Sequence, residues 1–190
     1  MNEKKKIIII GAGGHSRIVI NIAELNNYKI ECIIDVNFLK GRDVEKIFGY
    51  PVIGNIDILD KFSPDEFCVF IAIGDNETRT FYYNLLRKKK YFIPRFIHPA
   101  TTLSKHISIG EGVLINAGVI INSGTVIGEN TVLNTNSSID HECVIGNNVH
   151  IAPGVIIAGR VTIGASTMVG IGSTIIENII VFFIRKNLFY

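Results

Sequence analysis

Cysteine is scarce in this chain. Cys32, Cys68 and Cys143 are the only three in 190 residues, and no two stand in C-x-x-C spacing. Neither a disulfide framework nor a zinc site is suggested by the cysteines, and a reducing compartment suits them best. An excess of one charge is also missing. Lysine and arginine number 19 against 17 aspartates and glutamates, so there is no field to gather nucleic acid or an anionic membrane surface. No apolar run approaches the roughly 20 residues of a membrane-spanning helix. The opening MNEKKKIIII leads into glycines rather than into a signal-peptide cleavage site. A cytoplasmic globular chain is expected, with no nucleic-acid or membrane partner.

What the second half has is a period of six. Cut after His106, it reads ISIGEG, VLINAG, VIINSG, TVIGEN, TVLNTN, SSIDHE, CVIGNN, VHIAPG, VIIAGR, VTIGAS, TMVGIG and STIIEN. The third residue of every block is aliphatic, from Ile109 to Ile175. The fourth is small or turn-forming in nearly every block, as at Gly110, Asn116, Asn122, Gly128 and Asp140, and such residues tolerate the left-handed backbone of a corner. A helix repeats near 3.6 and would not survive this density of glycine, asparagine and β-branched residues. Each block is therefore expected to be a short strand with its third residue inward. Three blocks make a triangular coil, and coils stack about 4.8 Å apart through parallel hydrogen bonds. The register is expected to stop after Ile176.

The first half alternates strand and helix. Lys5 to Ile10 is fit for a buried strand and breaks into Gly11-Ala12-Gly13-Gly14-His15-Ser16 before a helical stretch. A second strand, Ile30 to Ile34, ends at Asp35, and Phe67 to Ile73 followed by Thr78 to Lys90 gives another strand and helix. Such alternation implies a parallel sheet. The glycine turn offers free N–H groups and a helix N-terminus to an anion. Ser16 stands where the third glycine of G-x-G-x-x-G would be, so NAD is not favoured.

Together, GAGGHS, Asp35, AIGDNETR, the IHP of Ile97 to Pro99 and DHECVIGNNVHIAPG resemble the sialic acid O-acetyltransferase and bacillosamine-pathway N-acetyltransferase family. The resemblance runs from about residue 5 to about residue 176. It implies a Rossmann-like parallel βαβ domain over 1–96, a left-handed parallel β-helix of hexapeptide repeats over 97–178 and an atypical tail over 179–190. It implies acetyl-CoA as acyl donor, a nucleotide-linked amino sugar or sialic acid as acceptor, and a homotrimer. Outward aliphatics at Leu114, Ile120, Val126 and Val132 would form the face that an interface covers.

Acyl transfer to an amine or hydroxyl needs a base, and a histidine serves best near neutral pH. His141, past the inward aliphatic of its block, is the candidate. The resemblance implies that Glu142 orients it, that His150 and Ile171 contact acetyl-CoA, and that Gly13, Gly14, His15, Asp35, Val36 and Gly74 meet the nucleotide sugar. His150 is the second residue of its block and is expected to face outward. No histidine pair has ligand spacing, so no metal is expected. Two other readings stay open. One is a nucleotide-dependent oxidoreductase, resting on the glycine turn and Asp35; the other is an impaired binding or assembly protein, suggested by the altered C-terminal end.

Overall fold

The computed structural model describes residues 6–35, 37 and 46–182. The chain divides into two compact units, Met1–Phe96 and Ile97–Tyr190.

In the first unit, β1 (Lys6–Ile10), α1 (Gly14–Leu25) and β2 (Lys29–Ile34) form one βαβ crossover. A short antiparallel pair, β3 (Lys46–Ile47) and β4 (Tyr50–Pro51), and a 3-10 turn over Ile56–Lys61 lead to β5 (Phe67–Ile71) and α2 (Asn76–Lys88). The main sheet is parallel in the order β2-β1-β5. Ile7 to Ile10 in its central strand are fully buried, as are Val19, Ile20, Ile22 and Ala23 of α1. Burying each such aliphatic contributes about 2 kcal/mol, which is why an unbroken apolar run becomes the middle strand of a parallel sheet.

Gly11 ends β1 under two constraints. Its φ is +111°, and a Cβ built there would lie 2.7 Å from the Ala72 carbonyl oxygen. A left-handed backbone and a backbone clash both disfavour a side chain. Gly11→Ala is expected to cost this unit about 3 kcal/mol, lowering its melting temperature by roughly 12–24 °C. Calorimetry checks this; an unchanged transition would show that the β1–β5 contact relaxes freely.

The second unit is a left-handed β-helix with three parallel five-stranded faces. The first face holds Phe96–Ile97, Leu114–Ile115, Val132–Leu133, His150–Ile151 and Met168–Val169. The second holds Thr102–Leu103, Ile120–Ile121, Ser138–Ile139, Ile156–Ile157 and Thr174–Ile175. The third holds Ser108–Ile109, Val126–Ile127, Val144–Ile145, Thr162–Ile163 and Ile180–Val181. The third-position aliphatics from Ile115 to Ile163 are buried in one column with Val113, Val119, Cys143, Val149, Val155 and Val161.

Three expectations change. The register does not stop after Ile176: Ile180 and Val181 pair in parallel with Thr162 and Ile163, so the coil continues through Val181. Phe183 and the rest of the tail lie outside the described residues. Leu114 and Val132 are buried rather than exposed, whereas Ile120 and Val126 are exposed. And the left-handed residue of each corner is the sixth of the block, not the fourth. Positive φ recurs at Gly112, Gly118, Gly124, Asn130, Asn136, Glu142, Asn148, Gly154, Arg160, Ser166, Gly172 and Asn178.

The fourth residues are small for a different reason. A Cβ at Gly110, Gly128 or Gly146 would lie within 2.4–2.7 Å of an atom of the next coil. Where the fourth residue is polar, its side chain reaches along the stack: Asn116 Nδ2 donates to Asn134 Oδ1 (2.7 Å), and Asn122 Nδ2 donates to Asp140 Oδ1 (2.9 Å). Such ladders satisfy amides that would otherwise be costly to half-bury.

Candidate active site

His141 stands on the corner between the second and third faces, between strands Ser138–Ile139 and Val144–Ile145. Its main chain is held on both sides. The His141 N–H donates to Asp140 Oδ1 (2.8 Å), and the Arg160 N–H of the next coil donates to the His141 carbonyl (2.9 Å). Asp140 is itself anchored by Asn122, and these hydrogen bonds hold its carboxyl below the usual carboxylate range. The His141 side chain leaves the coil with 46% of its surface exposed.

The imidazole is oriented by a carboxylate. His141 Nδ1 lies 3.1 Å from Glu142 Oε2, and Arg160 Nε donates to that same oxygen at 3.0 Å. The His141 and Arg160 hydrogen bonds, with the guanidinium charge, keep the Glu142 carboxyl below its usual value of 4.5. Glu142 is therefore an ionised acceptor at neutral pH, and the hydrogen-bond network assigns the ring proton to Nδ1. Nε2 is left as the basic atom. It lies over Gly159, where a Cβ would come within 2.6 Å of both Nε2 and Cε1.

His150 and Ile171 are placed elsewhere. His150 belongs to the first face, and Ile171 to the corner between the first and second faces, so one chain does not bring either beside His141. His150 is buried at 8% exposure rather than open to solvent, with Nε2 at 3.5 Å from Asn134 Nδ2. Strand alternation does direct it away from the aliphatic column, but that side of the first face is covered at this level, as at Leu114 and Val132. Ile171 is 77% exposed, and Met168, one strand beyond His150 in register, is exposed as well.

In the first unit the remaining candidates share the carboxyl edge of the sheet. Gly13 caps α1, Gly14 and His15 open that helix, Asp35 follows β2, and Gly74 follows β5. Cβ atoms at Gly13, Gly14 or Gly74 would meet nothing within 4 Å, so this edge is open. Ligands of open α/β sheets bind at such an edge. Asp35 Oδ1 accepts from the Asn37 N–H (3.0 Å). Val36 lies outside the described residues.

Two features of this edge are not evident from the motif. Ser16 is fully buried in place of the third glycine, and its hydroxyl donates to the Gly13 carbonyl at 2.7 Å, so the substitution tightens the turn. Arg79, 1% exposed, donates from its guanidinium to the Gly74 carbonyl (3.1 Å) and to Asn76 Oδ1 (2.7 Å). Burial brings its pKa down to about 10, opposed by the charge of Asp75.

Among the described residues no group of three or more His, Cys, Asp or Glu gathers as metal ligands would, and no helix is long and apolar enough to cross a membrane.

Comparison with known proteins matches both units. Residues 6–86 match the PglD N-terminal domain family, and residues 124–159 match the bacterial transferase hexapeptide family of six repeats. The acetyltransferase domain of PglB from Neisseria gonorrhoeae, solved with acetyl coenzyme A, is 30% identical with a TM-score of 0.85, over 95% of this chain and 86% of that one. GDP-perosamine N-acetyltransferase from Caulobacter crescentus, solved as a histidine-to-alanine mutant with CoA and GDP-perosamine, is 29% identical with a TM-score of 0.82, over 93% and 90%. WeeI from Acinetobacter baumannii, at 23% identity and a TM-score of 0.71 over 92% and 93%, shares the fold. With a PglD-type unit followed by the hexapeptide β-helix along nearly its whole length, the chain belongs to the sugar acetyltransferases of the hexapeptide-repeat family.

Proposed function

We propose that the protein transfers the acetyl group of acetyl-CoA to the amino group of a nucleotide-linked sugar, with His141 as general base. The observation that carries this reading is the hydrogen bond of His141 Nδ1 to Glu142 Oε2 at 3.1 Å, which leaves Nε2 as the proton acceptor on an exposed corner. As the acceptor nitrogen bonds to the thioester carbon, Nε2 takes a proton from that nitrogen. The carbon–sulfur bond then breaks, and the imidazolium returns the proton to the departing thiolate. Glu142 stabilises the imidazolium in between and stays ionised.

The donor fits an exposed apolar strip. Met168 and Ile171 present aliphatic surface beside the level of His150, which suits the pantetheine arm of CoA. The acceptor's phosphates suit the open glycine edge at Gly13, Gly14 and Gly74 and the N-terminus of α1, with His15 and Asp35 at its margins.

The exposed aliphatics around this corner support a homotrimer. Ile120 and Ile156 on the second face and Val126 and Val144 on the third are exposed, and they flank the corner that carries His141. An assembly that covers them encloses this corner, and a neighbouring copy is what can bring Ile171 and His150 to it. Light scattering is expected to give three times the 21.0 kDa chain.

Thiol release from acetyl-CoA, measured across nucleotide-linked amino sugars and free sialic acids, tests the activity. Turnover is expected with an amino sugar nucleotide. Turnover confined to a hydroxyl acceptor, or none across the panel, overturns the proposal.

A further inference from the structure

We infer that Arg160 is a positioning residue for the transfer, holding Glu142 in the rotamer that orients His141; this rests on the reading of His141 as the base. Of the twelve left-handed corner residues, five are glycine and four asparagine, the types that take positive φ at least cost, and one is serine, whose side chain is short. The two exceptions are Glu142 (φ 57°) and Arg160 (φ 60°), which occupy the same corner on successive coils. Long side chains are disfavoured in this backbone, so their presence at two stacked positions runs against the rule that the other ten obey.

Stability does not account for them. The Arg160 and Glu142 side chains are 63% and 57% exposed, and an ion pair so open to water adds little to folding. What the pair does provide is direction. Glu142 Oε2 accepts from Arg160 Nε on one side and from His141 Nδ1 on the other, at 3.0 and 3.1 Å. A carboxylate on a flexible, exposed stem has several rotamers open to it. The guanidinium fixes one, and with it the tautomer and plane of the ring. The guanidinium also anchors this from a rigid point, because the Arg160 N–H is bonded to the His141 carbonyl.

The test replaces Arg160 by the residue that other corners use. Arg160→Asn is expected to leave the melting temperature equal or higher, leave KM for both substrates within about twofold, and lower kcat about tenfold, the loss typical of a misdirected catalytic group. Arg160→Lys, which keeps the charge without the planar fork, should recover part of kcat. Nitrogen-15 NMR of the ring should show the Nδ1–H tautomer of His141 giving way to the Nε2–H tautomer in Arg160→Asn. Glu142→Gln combined with Arg160→Asn should be no slower than Glu142→Gln alone. A wild-type kcat in Arg160→Asn, a loss confined to KM, or losses that multiply in the double variant would each overturn the inference. His141→Asn, assayed in parallel, separates the two levels: full activity there removes the base itself, whereas its loss beside an unaffected Arg160→Asn removes only the positioning role.

Discussion

Replacement of His141 by asparagine is expected to lower kcat about a thousandfold, within the range that a positioned general base contributes. KM for acetyl-CoA and for the sugar should change by no more than about twofold, because the lost group acts on the proton and not on ground-state binding. The fold should be indifferent. His141 is nearly half exposed, its carbonyl and N–H bonds belong to the main chain, and asparagine keeps a polar side chain on the corner. The melting temperature is therefore expected to stay within about 2 °C, the change typical of an exposed substitution. Thiol release under saturating substrates gives kcat directly. Turnover of His141→Asn at the parental rate would mean that the amine loses its proton to water or to another group, and the His141–Glu142 contact would be reduced to corner packing.

The solenoid was legible in the sequence because one constraint repeats twelve times. An aliphatic at every third position of a six-residue block leaves only a coil of short strands, and the column from Ile115 to Ile163 is that coil's interior. The corners were less legible. Glycine and asparagine serve both at the fourth position, where the next coil passes within van der Waals contact, and at the sixth, where φ is positive. Composition cannot separate crowding from handedness, and the fourth position carried the more regular pattern. His150 shows another limit. Alternation gives the direction of a side chain along a strand but not whether that side is covered, so Leu114, Val132 and His150 read as outward and are buried. The end of the coil is harder to read because the chain past Ile176 reads as an atypical aromatic and basic tail, while hydrogen-bond register decides that Val181 takes the third position of a further block. For the candidate base, the DHE motif drew attention to His141 and Glu142, and the structure joins them at 3.1 Å. The supporting arginine is visible only as a letter out of place: the block VIIAGR ends in arginine where, SSIDHE apart, the other blocks end in glycine, asparagine or serine.

Gly159 precedes that arginine, and Gly159→Ala is expected to lower kcat about a hundredfold with little effect on folding. The position is buried and does not have a positive φ, so alanine meets no backbone penalty there. What it meets is the ring of the proposed base: the new methyl would fall 2.6 Å from both His141 Nε2 and Cε1. Contacts this short must be relieved, and the group able to give way is the half-exposed imidazole rather than the hydrogen-bonded coil. The ring would swing outward by about an ångström, stretching the Glu142 contact and moving Nε2 from the line of the acceptor nitrogen. Misplacement of this size costs on the order of 100-fold in rate, while the exposed side chain repays most of its lost packing in water. Steady-state kinetics and thermal melting together check this, and the sign of the combination matters. A fall in kcat with an unshifted transition is the mark of a displaced base. A large loss of stability would place the strain in the coil. Parental kcat would show that His141 works from another rotamer. In a chain already carrying His141→Asn the same alanine should have almost no further effect on rate, since nothing catalytic is left above Gly159 to displace.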